Sequence, residues 1–141
     1  MRRPSYFRYA RLGRLAKALF VGVALIVTLA CSPCDNEVVS VQPSPDGRVK
    51  AVVFTRTCGA TTPFVTEVSI VPANAGMPRG WANALTLEDD PENPVKRGAD
   101  AIEVRLRWES DLRLSVLFPR AAKVGKRDSK VGVVEVVYGT F

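Results

Sequence analysis

Two stretches in the C-terminal half of the chain alternate between apolar and polar residues at every second position. They are Ile102–Trp108 and Leu112–Phe118, and charged residues separate the apolar ones in the first stretch. An antiparallel β-sheet with one buried face and one solvated face requires this period of two, which a helix does not have. The short connection Glu109–Asp111 between the stretches predicts a β-hairpin, with Trp108 in the core.

Four further strands are predicted from runs of β-branched and aromatic residues that are bounded by turn residues. Their ranges are 36–42, 49–57, 64–71 and 131–138. Pro43–Gly47 joins the first two as a tight turn, because proline fixes φ and glycine accepts a positive φ. Residues 32–141 are therefore predicted to form a single all-β domain around one hydrophobic core. Its small antiparallel sheet is expected to be either a curled meander or a small sandwich.

The segment 72–100 interrupts this pattern, because four prolines and three glycines are spread along it. A stretch of this length without regular structure is uncommon inside a compact domain. We therefore expect a short strand across residues 81–87, with Trp81 and Leu85 in the core.

Residues 1–31 have the order of a secretory signal, which is a basic start, an apolar run and a small residue before the cleavage site. The apolar run Ala18–Ala30 has about thirteen residues, fewer than the ~20 that a helix needs to span a bilayer. A cleaved signal peptide is therefore favoured, and an uncleaved membrane-anchor helix is the alternative. In both cases the domain lies in the cell envelope, attached to the inner or outer membrane and facing the periplasm or the exterior.

The net charge of the chain depends on this N-terminal segment. The whole sequence has 20 basic and 14 acidic residues, and six of the basic residues but none of the acidic ones precede Cys31. The domain that remains thus has fourteen of each and a formal net charge of zero. The sequence pI of about 9.6 belongs to the targeting segment. Binding to nucleic acid, which needs a basic face on the domain itself, is not predicted.

Thr28–Cys31 resembles the cleavage box of bacterial lipoproteins, in which the cysteine is acylated and becomes the mature N-terminus. The resemblance implies lipid on Cys31. Cys34 and Cys58 then remain as an even pair, and a bridge between them would close a loop of about 25 residues, worth ~3.5 kcal/mol. Cys31 and Cys34 also have the Cys-x-x-Cys spacing of thiol–disulfide oxidoreductases. In those enzymes a helix starts at the motif, whereas a strand is predicted here.

Three sequence patches follow one another between the second cysteine and the end of the third predicted strand. They are Asn36–Val39, then Ser44–Gly47 running into Lys50–Arg56, then Cys58–Thr62 running into Thr66–Ile70. Their order resembles a family of small bacterial cell-envelope proteins that is known only as a domain of unknown function. The resemblance implies an exported single domain, and it carries over no catalytic residue.

Histidine is absent from the sequence, and this absence excludes several kinds of catalytic site. Without imidazole neither a Ser-His-Asp nor a Cys-His arrangement can form, and a histidine-based zinc site is excluded as well. The acidic cluster Glu88, Asp89, Asp90 and Glu92 could bind calcium or act as acid and base. A proline-rich acidic loop is more often only solvated, so the sequence predicts no enzyme, no cofactor and no metal.

Two other segments are candidates for contacts with a ligand, a partner or a membrane. Gly59, Ala60, Thr61 and Thr62 could present hydroxyl and backbone N–H groups to a ligand or a partner. The structural interpretation is favoured, in which these residues only join a disulfide cysteine to the next strand. The basic stretch 120–130 could contact anionic lipid headgroups or form a soluble hairpin tip, and the sequence leaves both open.

These observations predict a membrane-anchored extracytoplasmic domain, held by lipid or by its N-terminal helix, with a non-catalytic binding or structural role and a protein partner in the envelope. The first alternative is a periplasmic inhibitor of an envelope-directed enzyme that presents the loop Cys58–Pro63. It rests on an analogy with small disulfide-bonded β lipoproteins that inhibit lysozyme. The second alternative is a thiol–disulfide redox protein that uses Cys31 and Cys34.

Overall fold

The computed structural model describes residues 34–59, 64–89 and 101–141, together with the backbone of residues 97–98. This part of the chain is built from strands and contains no helix, which confirms the predicted all-β class. Accordingly, none of the described residues belongs to a helix that could cross a bilayer. The predicted signal or anchor, residues 1–31, lies outside the described residues.

Eleven strands follow one another in the described residues. They are β1 (Asp35–Pro43), β2 (Val49–Thr57), β3 (Val65–Pro72), β4 (Leu85–Glu88), β5 (Arg97–Gly98), β6 (Ala101–Ile102), β7 (Arg105–Ser110), β8 (Arg113–Phe118), β9 (Lys123–Arg127), β10 (Lys130–Val131) and β11 (Val134–Thr140). The first three predicted strands agree with β1, β2 and β3 to within one residue at each end, because β-branched runs between strong turn signals have well-marked ends.

The first sheet has five strands in the order β1-β2-β3-β4-β9, and every neighbouring pair is antiparallel. β1 and β2 form the predicted hairpin through the turn at Pro43–Gly47. The backbone N–H of Gly47 donates to the carbonyl oxygen of Ser44 at 2.9 Å. Gly47 has a φ of 69°, a left-handed conformation that glycine adopts without a steric cost. The predicted turn is therefore confirmed.

Strand β9 is the edge strand that the sequence did not predict. It lies within the basic stretch 120–130, and all five of its residues are exposed. A strand without a buried face has no period of two in its sequence, so only its backbone pairing with β4 reveals it. Of the two alternatives left open for this stretch, the hairpin tip does not agree with the pairing of β9 to β4, and contact with lipid headgroups stays a prediction.

The second sheet has the order β10-β11-β8-β7, and β5 and β6 form a separate two-stranded ribbon. The predicted β7–β8 hairpin is confirmed, although Glu109 lies in a β-bulge and the turn is at Asp111–Leu112. Leu112 is consequently exposed rather than buried. β11 pairs with β8 in parallel. Parallel neighbours need a crossover connection, and here the chain leaves the second sheet after β8, forms β9 in the first sheet and then returns.

The two sheets share one hydrophobic core, which is the arrangement of a small sandwich. The first sheet contributes Val53, Val68, Leu85 and Leu87 to it, and the second contributes Leu114, Val116, Val134 and Val136. Trp108 packs against this core in a half-buried position, as predicted. Its Nε1 donates to the carbonyl oxygen of Gln42 at 3.1 Å and so links β7 to β1.

β2 and β3 are buried on both faces, because residues 73–84 lie across their outer face. We call residues 73–84 the covering segment. Ala82 of this segment is buried against Val52 and Phe54 of β2 and forms a second, small apolar cluster with them. A small side chain suits this position because it lets the backbone of the covering segment approach the sheet closely.

Polar side chains of the first sheet hold the covering segment in place. Lys50 Nζ donates to the carbonyl oxygen of Ala75 at 2.6 Å. Asn36 Nδ2 donates to the carbonyl oxygen of Pro78 at 2.7 Å. These bonds satisfy backbone carbonyls in a segment that forms no strand pairing of its own.

Trp81 belongs to the covering segment and is 68% exposed, so the prediction that it lies in the core is wrong. Leu85, predicted to be buried with it, is fully buried as the first residue of β4. The short strand expected over residues 81–87 is thus β4. Phe64, just before β3, is exposed as well. Ala82, one residue further on, takes the buried position that Trp81 was expected to fill.

Cys34 and Cys58 form the predicted disulfide, and their Cα atoms are 4.1 Å apart. They lie at the open end of the β1–β2 hairpin, next to the paired residues Asp35 and Thr57. The disulfide therefore holds the edge strand β1 to β2 at the end opposite the turn.

Candidate functional site

An exposed aromatic ring, several charged groups and a buried carboxylate come together on the outer face of the first sheet. We call this surface the Trp81 face. Its residues are Arg56, Glu67, Trp81, Thr86, Glu88 and Lys126. They come from β2, β3, β4, β9 and the covering segment, so only the folded sheet brings them together.

The register of the first sheet explains why these side chains meet. Glu67 on β3 is paired with Phe54 on β2 and with Thr86 on β4. Thr86 is in turn paired with Lys126 on β9. Laterally paired residues point to the same face of a sheet, so the four side chains form one row across four strands.

The indole ring of Trp81 is held from one side by Arg56. The guanidinium carbon of Arg56 lies 4.8 Å from the ring centroid, which is a cation–π geometry. Arg56 is itself buried, and its Nη1 donates to Asn36 Oδ1 and to the carbonyl oxygen of Arg79, both at 3.4 Å. A fixed guanidinium therefore orients a ring that is largely exposed.

A depression of about 230 Å³ lies beside the ring. It is lined by Trp81, Thr86, Glu88, Gly125 and Lys126. Gly125 is the extra residue of a β-bulge in β9. A Cβ at this position would stand 2.8 Å from Glu88 Oε1, so the glycine leaves room for the Glu88 carboxylate.

The charged groups around the depression are paired. Lys126 Nζ donates to the carbonyl oxygen of Ala82 at 3.0 Å and lies 3.1 Å from the Asp128 carboxylate. The Glu88 carboxylate lies 2.8 Å from Lys123 Nζ. The depression thus offers hydrogen-bond donors and acceptors, with its cations and anions in balance.

Glu67 lies beneath this surface and is fully buried. Neither of its carboxylate oxygens has a hydrogen-bond partner of good geometry among the described residues. Burial raises the pKa of the Glu67 carboxyl, because the anion loses its hydration. The backbone N–H of Ala82, which is close without meeting hydrogen-bond geometry, and the charges of Arg56 and Lys126 lower this pKa by a smaller amount.

Tyr138 anchors the edge of the sheet that carries the depression. Its hydroxyl oxygen lies 2.8 Å from the carbonyl oxygen of Ala84, just before β4, and 2.7 Å from that of Asp128, just after β9. Burial, followed by the negative charge of Asp128, raises the pKa of Tyr138 to about 12. The hydroxyl therefore keeps its proton at neutral pH and donates it to one of the two carbonyls.

Most of the partner loop predicted from the sequence lies outside the described residues. Gly59 is described and exposed, with a φ of 121° that favours glycine. Ala60, Thr61 and Thr62 are not described, and neither is the predicted lipidation site Cys31. The partner loop and the lipidation site remain predictions.

The predicted acidic cluster is only partly described. Glu88 lines the depression and pairs with Lys123, Asp89 follows it in the chain, and Asp90 and Glu92 lie outside the described residues. Within the described ranges, no group of three or more His, Cys, Asp or Glu side chains is placed to hold a metal ion.

A second groove, of about 310 Å³, lies beside the bulge at Val39 in the edge strand β1. The described residues of its lining are mostly apolar and include Val53, Ile102 and Val104, with Glu103 as the one charged residue among them. Among its described lining residues this groove has no aromatic ring, and its polar side chains are Ser40 and Glu103. The Trp81 face is therefore the stronger candidate site.

Comparisons with models of protein families, with curated proteins and with solved structures found no match. The resemblance to a cell-envelope family accordingly remains a prediction. The features of the described residues that bear on function are the Trp81 face and the disulfide.

Sequence reasoning missed the Trp81 face for a physical reason. A charged residue such as Arg56 or Glu67 within a predicted strand normally marks the solvated face of the sheet. Here the covering segment buries that face. The sequence contained one indication that Trp81 is exposed. Trp81 lies among prolines and glycines, with no alternation of apolar and polar residues around it. An aromatic ring in such a segment has no regular face of its own to bury.

Proposed function

We propose that the chain is a membrane-anchored, extracytoplasmic β domain that binds a partner without catalysis. The signal-like order of residues 1–31 supports export, and the resemblance of Thr28–Cys31 to a lipoprotein box supports a lipid anchor on Cys31. The Cys34–Cys58 disulfide agrees with an oxidising compartment, because structural disulfides persist there and are rare in the cytoplasm.

The exposure of Trp81 is the observation that carries the binding role. A tryptophan that is 68% exposed leaves a large apolar area in water. Tryptophan is also among the residue types that dominate the energetics of binding surfaces. Because Arg56 already orients the ring, little conformational entropy is lost when a partner packs against it.

The chemistry of the same face argues against catalysis. Glu67 is sealed from solvent and cannot reach a substrate, and among the described residues that line the depression Glu88 has no second carboxylate with which to form an acid–base pair. The sequence has no histidine to take this role. The redox alternative is disfavoured as well, since Cys34 is bonded to Cys58 and its thiol is not available to pair with Cys31.

The lipid anchor is tested by the intact mass of the chain purified from the membrane fraction. We expect residues 1–30 to be absent and Cys31 to carry a diacyl or triacyl adduct. The Cys31→Ala variant should lose the adduct and keep the N-terminal segment. An uncleaved wild-type chain without an adduct would favour the anchor helix, whereas free thiols on Cys31 and Cys34 would contradict both the lipid and the disulfide.

The binding role is tested by a photoreactive benzoylphenylalanine introduced at position 81 of the full chain in living cells. We expect irradiation to yield a discrete cross-linked species in the membrane fraction. The matched control places the same residue at Val133, which is 71% exposed in the turn between β10 and β11. The proposal predicts little product at position 133, and equal products at both positions would argue against a specific surface.

A further inference from the structure

The charge balance of the depression beside Trp81 restricts its ligand. Lys126 and Lys123 each face a carboxylate, at 3.1 and 2.8 Å, so neither offers the unpaired charge that a phosphate or carboxylate ligand needs. Glu88 is paired in the same way, so a cationic ligand is not favoured either. The ligand that matches this balance is polar and neutral.

The indole ring restricts the ligand further, because it provides a flat apolar surface next to polar groups. A pyranose ring has an apolar face formed by its axial hydrogens and a rim of hydroxyl groups. The apolar face can pack on the electron-rich face of the indole. The hydroxyls both donate and accept hydrogen bonds, which matches the ammonium of Lys126 and the carboxylate of Glu88, two residues that line the depression.

The size of the depression fits one ring of a longer molecule. Its volume of about 230 Å³ is below the ~300–1,000 Å³ of pockets that enclose a whole small molecule. A protein partner is less well matched, because stable protein interfaces have an apolar centre and Trp81 is the one apolar side chain among the described residues of the lining.

We infer that the Trp81 face binds a neutral pyranose residue of a glycan chain, stacked on the indole ring of Trp81. This inference rests on the proposed binding role and names the ligand class for the same surface. It places the aromatic contact at Trp81 and the hydrogen-bonding contacts at Glu88 and Lys126.

Binding of two neutral oligosaccharides, cellotetraose and N-acetylated chitotetraose, tests the inference directly. The full chain is solubilised in a detergent without a sugar headgroup, since a glycosidic detergent would compete for the site. We expect at least one of the two probes to change the tryptophan fluorescence in a saturable way. Trp108, half-buried against the core, provides the constant background signal.

Four variants, compared with the wild type by isothermal titration calorimetry, separate stacking from general surface effects. Trp81→Ala is expected to weaken binding by about tenfold or more, the scale of one lost aromatic stacking contact, and Trp81→Phe should recover part of the loss. Gly125→Ala leaves the indole in place but brings a methyl group against Glu88, so it should weaken binding as well. Val133→Ala removes an exposed apolar side chain elsewhere and should bind like the wild type.

The inference is overturned if neither oligosaccharide gives a saturable change at concentrations up to about 10 mM. A site that is not filled at that concentration has a Kd more than about tenfold weaker than 1 mM. The inference is also overturned if Trp81→Ala and Gly125→Ala both bind as tightly as the wild type in calorimetry, which does not depend on the fluorescence of Trp81. If a protein is cross-linked at position 81 and no sugar binding is detected, the glycan inference is contradicted and the proposed binding role is supported. Absence of both a cross-link and sugar binding would remove the binding role as well.

Discussion

Removal of the Cys34–Cys58 disulfide is expected to lower the free energy of unfolding by about 3.5 kcal/mol. The two cysteines are 24 residues apart in sequence, and the bond restricts the unfolded chain more than the folded one. A loss of this size is a large part of the ~5–15 kcal/mol that stabilises an ordinary domain. Equilibrium unfolding of the wild type and of the Cys34→Ser, Cys58→Ser double variant in urea measures the difference.

Strand β1 should respond to this change more than any other strand of the first sheet. It is an edge strand, and its residues Val38, Val39 and Val41 are all exposed, so it buries little apolar area. Amide hydrogen exchange in β1 is therefore expected to rise further than exchange in β3 when the disulfide is absent. Cys31→Ser is the matched control and should leave both measurements unchanged. An unfolding free energy in the double variant equal to that of the wild type would refute the stabilising role.

Replacement of Arg56 by methionine is expected to cost about 3 kcal/mol of stability at neutral pH. The change removes the cation that most stabilises the buried Glu67 carboxylate. It also removes the hydrogen bonds to Asn36 and Arg79. It also removes the cation–π contact with Trp81. Methionine keeps an unbranched apolar stem but is shorter than arginine, so the loss includes packing and hydrogen bonds as well as the charge. Thermal and urea unfolding measure the effect.

A second substitution at Glu67 should reverse much of this loss. In the Arg56→Met, Glu67→Met double variant no unpaired anion is left in the interior, and replacing both partners of a buried pair by apolar residues is often neutral. The two single variants complete a double-mutant cycle that isolates the coupling between the residues. Arg79→Met provides the control, because Arg79 is exposed in the covering segment. Simple additivity of the two losses would contradict the coupling.

The pH dependence of stability provides an independent readout of Glu67. Its pKa in the folded domain lies above the ordinary value of 4.5, so above pH 4.5 the folded state binds more protons than the unfolded state. The stability due to this group is therefore complete below pH 4.5 and is lost as the pH rises through the folded pKa. Glu67→Gln should abolish the decline. Arg56→Met should move it to higher pH, since the loss of the cation raises the pKa of Glu67 further.

The parts of the fold that were predicted correctly are those in which neighbouring residues carry the whole signal. β2 was predicted with its observed ends, because the valine-rich run is bounded by a glycine turn and a cysteine–glycine break. The turn at Gly47 followed from the conformational freedom of glycine, and the hairpin of β7 and β8 followed from the period of two. The disulfide followed from cysteine number and the lipoprotein-like box.

The failures occurred where one segment depends on another that is distant in sequence. β9 has no buried face, so its position as an edge strand is decided by hydrogen bonds to β4. The parallel pairing of β8 and β11 depends on a crossover between the sheets that local periodicity does not describe. Trp81 was expected in the core because large aromatic side chains are usually buried, but the covering segment buries the small Ala82 instead.

The period of two in residues 102–118 determined by itself that this chain forms β-sheets with a buried face, because no helix can bury every second residue. Cysteine number and the order of residues 1–31 likewise determined the expected disulfide and the expected export. Only the tertiary structure decided that the outer face of β2 and β3 is covered and that Arg56 and Glu67 are buried beneath Trp81. Burial on that face depends on contacts between residues far apart in the chain, and the alternation within a single strand contains no information about them.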